Sequence, residues 1–377
     1  MKVLVICPAE SIWTKLLIEY TMIPMGWDIY LLADCGSGVF EEYYRKNNIH
    51  VIDYSKNGKK GLRKLYPNTF WIKYYIRKLH IDNIILEFTN PGRMYWGWIL
   101  KQNNNRLLAV AWGSDILTAS KNDIRLNSIY YKKSNGIVIS TQKMLNRFKE
   151  DYGDKYNQLI YRAYFGVNGF DFIKKYIGMK NACCKGLGLP SDKIIISIGY
   201  NAREEQQHDK ALKCFKTLSN SILEKIHIVL KMTYLQENSD YISNVKKIVS
   251  SLGCTYSIFE EYMSNDESAM LPVATDIFVH AQVSDALSAS VQEYMYGGAL
   301  VLNPSWIKYY EFEEMGAFYI SYSDFEELSI LMGKLLKDNS YKEYNEKLLA
   351  NQELLPKYYS WTMVQKQWIE IYKKVFL

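Results

Sequence analysis

Short runs of β-branched and aliphatic residues alternate with stretches of helical periodicity from one end of the chain to the other, and this alternation restricts the fold more than any other feature. In the first half the strand runs are Lys2–Cys7, Trp27–Ala33, Ile49–Tyr54, Asn83–Phe88, Leu107–Trp112, Gly136–Ser140 and Leu159–Phe165. In the second half they are Lys193–Tyr200, His227–Met232, Cys254–Phe259, Asp276–His280, Ala299–Leu302 and Ala317–Ser321. Helical patterns fall between them, as at Lys210–Leu218, Tyr241–Leu252 and Ser288–Tyr296. Strands separated by helices pair in parallel, because the crossover returns the chain to the same end of the sheet. The 377 residues exceed one ordinary core. Two series of domain length predict an α/β protein of two Rossmann-like, doubly wound halves.

The irregular segment Gly166–Lys185, rich in Gly, Asn and Lys, marks the boundary. The expected organisation is a first domain over residues 1–170, a second over 171–355, and a terminal segment over 356–377. The last helix, Ser360–Val375, carries Trp361, Val364, Trp368, Ile371 and Tyr372 at helical spacing. In two-lobed folds such a helix crosses back to the first lobe, and that is the expectation here.

About half of the residues are apolar and about a quarter charged, an ordinary globular composition. Six cysteines form no Cys-x-x-Cys pair and no zinc spacing. The first residues do not read as a signal peptide, since the apolar run Met1–Cys7 meets Pro8 and Glu10 at once. No apolar run approaches membrane-spanning length. A reducing, cytoplasmic location is the expectation. Net charge is +6, and its distribution is uneven. Between Asp53 and Asp82 there is no acidic residue. That stretch holds Lys56, Lys59, Lys60, Arg63, Lys64, Lys73, Arg77 and Lys78, with Tyr66, Phe70, Trp71, Tyr74 and Tyr75 among them. Bases interleaved with aromatics suit an anionic membrane face. Lys59, Lys60, Arg63, Lys64 and Trp71 are therefore candidate membrane or acceptor contacts, on the inner face of a cell membrane. The alternative is a solvated basic helix face with its aromatics turned inward. No recognition motif for nucleic acid accompanies these charges, and no nucleic-acid partner is expected.

Ligands of doubly wound sheets bind beyond the carboxyl ends of the strands. The chemistry is therefore expected in the loops after Cys7, Trp112, Tyr200, Met232, Phe259 and His280. The most informative of these opens the segment Ala281–Leu302. It leaves a strand, passes through a turn of small residues and begins a helix near Ser288. A helix start offers unpaired N–H groups and a positive dipole end, which suit a diphosphate. Small side chains at Ala286, Ser288 and Ala289 allow close approach. Asp285 is placed to accept from sugar hydroxyls and Glu293 from a ribose. The plainer reading is an N-cap at Asp285 or Ser288, with Glu293 on the surface.

This segment resembles the acidic-x7-acidic motif of retaining GT-B glycosyltransferases, above all glycosyltransferase family 4, with Asp285 where Glu is usual and Glu293 kept. Tyr294-Met-Tyr-Gly-Gly-Ala-Leu-Val301 resembles the tail of that motif. Ala111-Trp-Gly-Ser-Asp-Ile116, Ile198–Leu212 and His227–Gly253 resemble the transferases that add N-acetylated fucosamine to an undecaprenyl-linked lipid II. The resemblance implies a GT-B fold of two facing Rossmann-like domains. It implies a hexosyl- or N-acetylhexosaminyl-type transferase of cell-surface glycan biosynthesis, with a nucleotide diphosphate sugar as donor and a lipid-linked or polysaccharide acceptor. The first acidic residue of the motif faces the donor sugar and the second binds the ribose. A loop of Pro8-Ala-Glu-Ser11 replaces the family's Gly-Gly loop after the first strand.

Charge develops on the departing diphosphate as the glycosidic bond breaks, and fixed cations with helix-start amides stabilise it without a metal. The local cations are Arg203, suited to bidentate phosphate contact or else to a surface ion pair with Glu204 or Glu205, and Lys231, a point charge at a strand end or else a snorkelling stem. Gly199, Tyr200, Asn201 and His208 belong to the same loop region, and His208 reads either as a donor contact or as a helix cap. Asp115 reads either as the residue that orients or deprotonates the acceptor hydroxyl or as an N-cap. No Asp-x-Asp metal clamp is present, and neither a metal nor a cofactor is expected. Two other functions fit the same fold: a sugar-nucleotide epimerase, and a non-catalytic partner subunit of a glycosyltransferase. A nicotinamide dehydrogenase does not fit, because no Gly-x-Gly-x-x-Gly follows the first strand.

Overall fold

The computed structural model describes residues 1–7, 11–33, 39–53, 68–101, 105–234 and 236–377, with the backbone alone at 68, 69, 71, 72 and 75. The chain divides into two compact units, Met1–Gly166 with Trp361–Leu377, and Val167–Ser360. The division falls at Gly166 because the Val167 N–H donates to the Tyr359 carbonyl at 2.8 Å, which ties the two ends of the second unit together. The helix Asn345–Tyr359 therefore stays with the second unit, and Trp361, rather than residue 356, begins the segment that returns to the first.

In the first unit the strands are β1 (Lys2–Ile6), β2 (Asp28–Ala33), β3 (His50–Asp53), β4 (Asn83–Glu87), β5 (Arg106–Val110), β6 (Gly136–Val138) and β7 (Ile160–Tyr161). They form a parallel sheet in the order β3-β2-β1-β4-β5-β6-β7. In the second unit they are β8 (Ile194–Ile198), β9 (Ile226–Lys231), β10 (Thr255–Phe259), β11 (Ile277–Val279), β12 (Leu300–Pro304) and β13 (Ile320–Tyr322). Their order is β10-β9-β8-β11-β12-β13, again all parallel. Both orders reverse direction at one place, between β1 and β4 and between β8 and β11. Each run read as a strand from sequence contains a strand here, with ends that differ by up to several residues.

The central strands are apolar throughout because helices cover both faces of each sheet. Ile-Ile-Ile-Ser-Ile of β8 and Asn-Ile-Ile-Leu-Glu of β4 are buried at every position. The Asp276 carboxylate accepts from the Ile195 N–H at 2.9 Å and pairs with Lys180 at 2.5 Å, which sets the start of β11 against β8.

The C-terminal helix Trp361–Phe376 buries Trp361, Val364, Trp368, Ile371, Tyr372, Val375 and Phe376, one face of its 3.6-residue period. That face joins Leu16, Leu17, Ile18, Leu108 and Val110 in the core of the first unit. Tyr20 stacks on Trp361 at 5.0 Å. The Trp368 indole N–H donates to the Tyr164 carbonyl at 2.7 Å, and the Arg106 guanidinium donates to the Val375 carbonyl at 2.8 Å. Trp368→Ala should open a cavity and leave that carbonyl unpaired, destabilising the first unit by about 3–5 kcal/mol. The expected result is an earlier urea transition for the first unit, with the transition of Val167–Ser360 left in place.

Candidate functional site

Strand β8 lies between β9 and β11, and chain crossovers leave it in opposite directions, so the loops after β8 and β11 diverge and leave a crevice at their carboxyl ends. Gly199 opens the first loop with φ +66, and its N–H donates to the Val279 carbonyl at 3.2 Å. A Cβ there would stand 2.4 Å from the His208 Nε2, so glycine is required by both conformation and space. The Tyr200 N–H donates to Gln206 Oε1 at 3.2 Å, and the Gln206 amide donates to Gln282 Oε1 at 2.9 Å. The Tyr200 hydroxyl also donates to Gln282 Oε1, and lies 3.3 Å from Asp285 Oδ2. Gln207 Nε2 donates to the Ala281 carbonyl at 2.7 Å. Glutamines thus stitch the two loops together, and spacing alone gave no sign of them.

The second loop leads into the helix Ala289–Gly297. Ser288 caps it by accepting from the Val291 N–H at 3.3 Å, which satisfies one of the unpaired N–H groups of the helix start. Asp285 precedes the cap. Burial raises its pKa, against the opposing pull of His280, the Ala286 N–H and Tyr200. Glu293 follows within the helix. Its carboxylate packs against the Cα of Gly169, where a Cβ would stand 2.2 Å from Oε1. Burial raises the Glu293 pKa and lowers that of Lys231 at the end of β9, while the charge of each holds the other partly in place. The Lys231 ammonium also donates to Ser268 Oγ at 3.5 Å. Asp285, Lys231, Glu293, Ser288 and Ala289 are therefore gathered with Gly199 and Tyr200 in one unit.

Arg203 stands further out. Its side chain is 48% exposed, 3.9 Å from Glu237 Oε1, and its N–H donates to the Asn201 side chain at 2.9 Å. Asn201 is itself buried and shapes the turn. His208 is fully buried at the start of a short helix. Its backbone N–H donates to the Tyr241 hydroxyl oxygen at 2.9 Å, so that hydroxyl spends its proton on His208 Nδ1, 3.0 Å away. Nε2 accordingly carries the imidazole hydrogen, and it has no hydrogen-bond partner among the described residues. Desolvation lowers the His208 pKa to about 4, which keeps the ring neutral at pH 7.

In the first unit Asp115 does not stand free as a base. Its carboxylate accepts from the backbone N–H groups of Thr89, Trp112 and Gly113 and from the Thr89 hydroxyl, at 2.7–3.2 Å. It clamps the loop after β5 to the loop after β4. Glu87, unflagged by any motif, ends β4 fully buried. The Thr14 hydroxyl donates to its Oε2 at 2.7 Å, and burial pushes its pKa up to about 7. Phe88 follows with φ +62, a strained value for an aromatic residue. Lys59, Lys60, Arg63 and Lys64 lie outside the described residues, and Trp71 belongs to the helix Asn68–Leu79. Among the described residues no three His, Cys, Asp or Glu side chains converge as a metal site, and no helix is long and apolar enough to cross a membrane.

No protein-family profile matches the chain, and no curated protein matches it by sequence. Solved structures do match it by fold. A glycosyltransferase from Rickettsia africae superposes with a TM-score of 0.78 at 17% identity, over 99% of this chain and 98% of that one. HepE from Anabaena, in complex with UDP and glucose, superposes with a TM-score of 0.72 at 15% identity, over 99% of each chain. Sucrose-phosphate synthase from Thermosynechococcus elongatus gives a TM-score of 0.75 at 13% identity, over 100% of this chain and 99% of that one. The two parallel sheets with flanking helices are those of the GT-B fold, as the sequence led us to expect.

Two of the three buried histidines of this unit predict much of its acid behaviour. His208 and His227 are both lowered from 6.5 to about 4, chiefly by burial. The unfolded chain binds these protons first, so the associated stability is present above pH 6.5 and is lost as the pH falls toward 4. For His208 the loss is on the order of 3 kcal/mol. Urea unfolding of the second unit across this range should show that slope, and His208→Gln should flatten part of it.

Proposed function

We propose that this chain is a glycosyltransferase whose second unit binds a nucleoside diphosphate sugar. The observation that carries this reading is the placement of Asp285 and Glu293 on either side of the capped start of Ala289–Gly297, at the switch point between β8 and β11. A helix start between two acceptors matches the order of such a donor: sugar hydroxyls, diphosphate, ribose hydroxyls. Glu293, held between Gly169 and Lys231, takes the ribose. Asp285 takes the donor sugar. Ser288 and Ala289 supply N–H groups to the diphosphate, beside the turn of Gly199, Tyr200 and Asn201. The unpartnered His208 Nε2–H is a neutral donor to the same oxygens, and Lys231 and Arg203 are the cations. As the glycosidic bond breaks, the negative charge gained by the leaving diphosphate is met by groups already in place, the general route by which preorganised dipoles lower a barrier. The transfer is retaining and metal-independent, and the acceptor is a lipid-linked or polysaccharide precursor of a surface glycan.

UDP is the first nucleotide to test, since HepE is a complex with UDP and glucose. Glu293→Ala should weaken UDP binding by about 1–3 kcal/mol, the scale of a charge-assisted hydrogen bond. Gly169→Ala should weaken it too, because the added Cβ displaces the Glu293 carboxylate. Arg203→Ala should spare UDP affinity and cut donor turnover on the order of a hundredfold. Calorimetry with UDP, GDP, dTDP and CDP, beside nucleotide release from the matching sugar donors, checks all three. A protein that binds none of these nucleotides overturns the proposal.

Docking of the first unit on an anionic membrane surface is part of the same reading. The helix Pro91–Leu100 packs between Asn68–Leu79 and Lys121–Tyr131. These helices expose Phe70, Tyr74, Tyr95, Trp98 and Ile129. They carry Lys73, Arg77, Lys78, Arg93, Lys121 and Arg125 against one carboxylate, Asp123. Tyr95, Trp98 and Tyr130 form one aromatic cluster with centroids 6.4 Å apart. Bases around exposed rings suit acidic headgroups. The protein should co-sediment with phosphatidylserine vesicles and not with phosphatidylcholine vesicles. High salt should release it, and Tyr95→Ala with Trp98→Ala should weaken retention at low salt.

A further inference from the structure

Four aromatic side chains stand at the carboxyl edge of the first sheet, and no role falls to them in the reading above. Trp13 lies in the helix Ile12–Leu17 that follows β1, Phe88 follows β4, Trp112 follows β5 and Phe165 follows β7. Each is partly exposed, unlike core rings of the same unit such as Tyr131 and Phe148. Their centroids form one row, with Phe88 to Trp112 at 5.9 Å, Trp112 to Phe165 at 6.5 Å and Phe165 to Trp13 at 5.9 Å. The interplanar angles are 69°, 78° and 70°, so neighbours in the row do not cover one another face to face.

Polar ties hold each ring in the row. Phe88 takes φ +62, a costly value for an aromatic residue, and its N–H donates to the Val110 carbonyl at 2.9 Å. The Asp115 carboxylate accepts from the backbone N–H groups of Thr89 and Trp112 at 2.7 and 3.0 Å, which fixes the residue after Phe88 to Trp112. The Thr14 hydroxyl donates to Glu87 at 2.7 Å, which ties the residue after Trp13 to the residue before Phe88. Phe165 packs at 5.5 Å on Trp368, whose indole N–H donates to the Tyr164 carbonyl. The charged groups bonded to the row are thereby committed. Asp115 serves as a clamp, Glu87 is a buried partner of Thr14, and the Arg93 guanidinium lies 5.1 Å over Phe88. Rings presented by four loops, with their charged neighbours engaged, suit an uncharged ligand that has an apolar face and hydroxyl groups. A pyranose has that form, since its C–H bonds carry partial positive charge and meet the negative face of an aromatic ring.

We propose that Trp13, Phe88, Trp112 and Phe165 form a binding site for an uncharged pyranose, with a ring face of the sugar laid on the row and one hydroxyl accepting from the Trp112 indole N–H. That N–H has no acceptor among the described residues and is closed to water, so the hydroxyl reaches it as the partly exposed ring turns. That the bound sugar is the acceptor of the transfer rests on the proposed function; the binding itself does not.

The test uses the full chain, with methyl β-glucoside and methyl N-acetyl-β-glucosaminide as neutral probes and methyl β-glucuronide as the charged counterpart. Saturation-transfer NMR, with saturation on the aromatic protons, should show transfer to the ring C–H protons of a neutral glycoside and little to the glucuronide. Trp13→Ala and Trp112→Ala should each weaken binding of the neutral glycoside on the order of tenfold. Trp112→Phe, which keeps a ring and removes the N–H, should fall between these and the wild type. UDP affinity should be the same in all of them. Absence of transfer to both neutral glycosides overturns the site, as does transfer that survives both alanine variants. Equal transfer to the glucuronide overturns the uncharged class. Should an alanine variant not fold, Trp13→Leu and Trp112→Leu replace it: they keep apolar volume without the ring face, and unaltered affinity in both would refute the proposal. Glycoside binding by a chain that binds no nucleotide would count against the proposed function alone, and UDP binding without glycoside binding against this site alone.

Discussion

Strand β8 pairs in parallel with β9 on one side and with β11 on the other, and the candidate site depends on this double pairing. Five residues that are apolar or buried at every position can occupy only the middle of a sheet covered on both faces. Once β8 is central, the chain must leave it toward one side and return on the other, and the two departing loops cannot close over the crevice between them. Gly199 and the segment from His280 to Asp285 are brought to the same place by that topology, although they lie far apart in sequence. The Asp276 carboxylate, which ties the start of β11 to β8, protects the register that makes the loops level.

Within the crevice the dominant cost is desolvation. Asp285, Glu293 and Lys231 are each pushed toward their neutral forms by burial. A stable core would not place three ionisable groups so close together unless their charges were offset. Among the described residues the offset is incomplete: Lys231 and Glu293 face one another without a close ion pair, and His208 keeps an unpartnered N–H. Such a set is poorly compensated alone and well compensated by a ligand that carries both hydroxyl groups and negative charge. Local stability given up in this way is what preorganisation requires, because groups held in place need not reorganise as charge develops.

Much of the fold was legible in the residues and much of the site was not, for one physical reason. The strand runs and the terminal helix are local patterns, so Ile194–Ile198 and Trp361–Phe376 can be read from their own composition. The spacing of Asp285 and Glu293 across a helix start is local too, and it singles out the loop before Ala289–Gly297. The roles of Gln206, Gln282 and Gly169 arise from contacts between segments distant in sequence. Gly169 is the clearest case: it is one glycine among many until Glu293 is seen against its Cα. Local spacing leaves Asp115 open between two roles, base and cap. Its carboxylate accepts four hydrogen bonds, two from its own loop and two from Thr89 in the loop after β4, a partner that local spacing does not show.

The two units share a topology and use it differently. At the carboxyl edge of the first, Asp115 is saturated and Glu87 is a buried carboxyl near neutrality, ringed by Thr14 and the strained Phe88. At the equivalent edge of the second, several ionisable groups and a capped helix start converge. Parallel strand order determines where ligands meet such a sheet, but it does not determine which ligand. Charge does. The first edge carries one carboxyl near neutrality, whereas the second carries a capped helix start and two cations. That difference follows from side chains a few residues beyond the strands, in segments that the sheet positions but whose composition it leaves open.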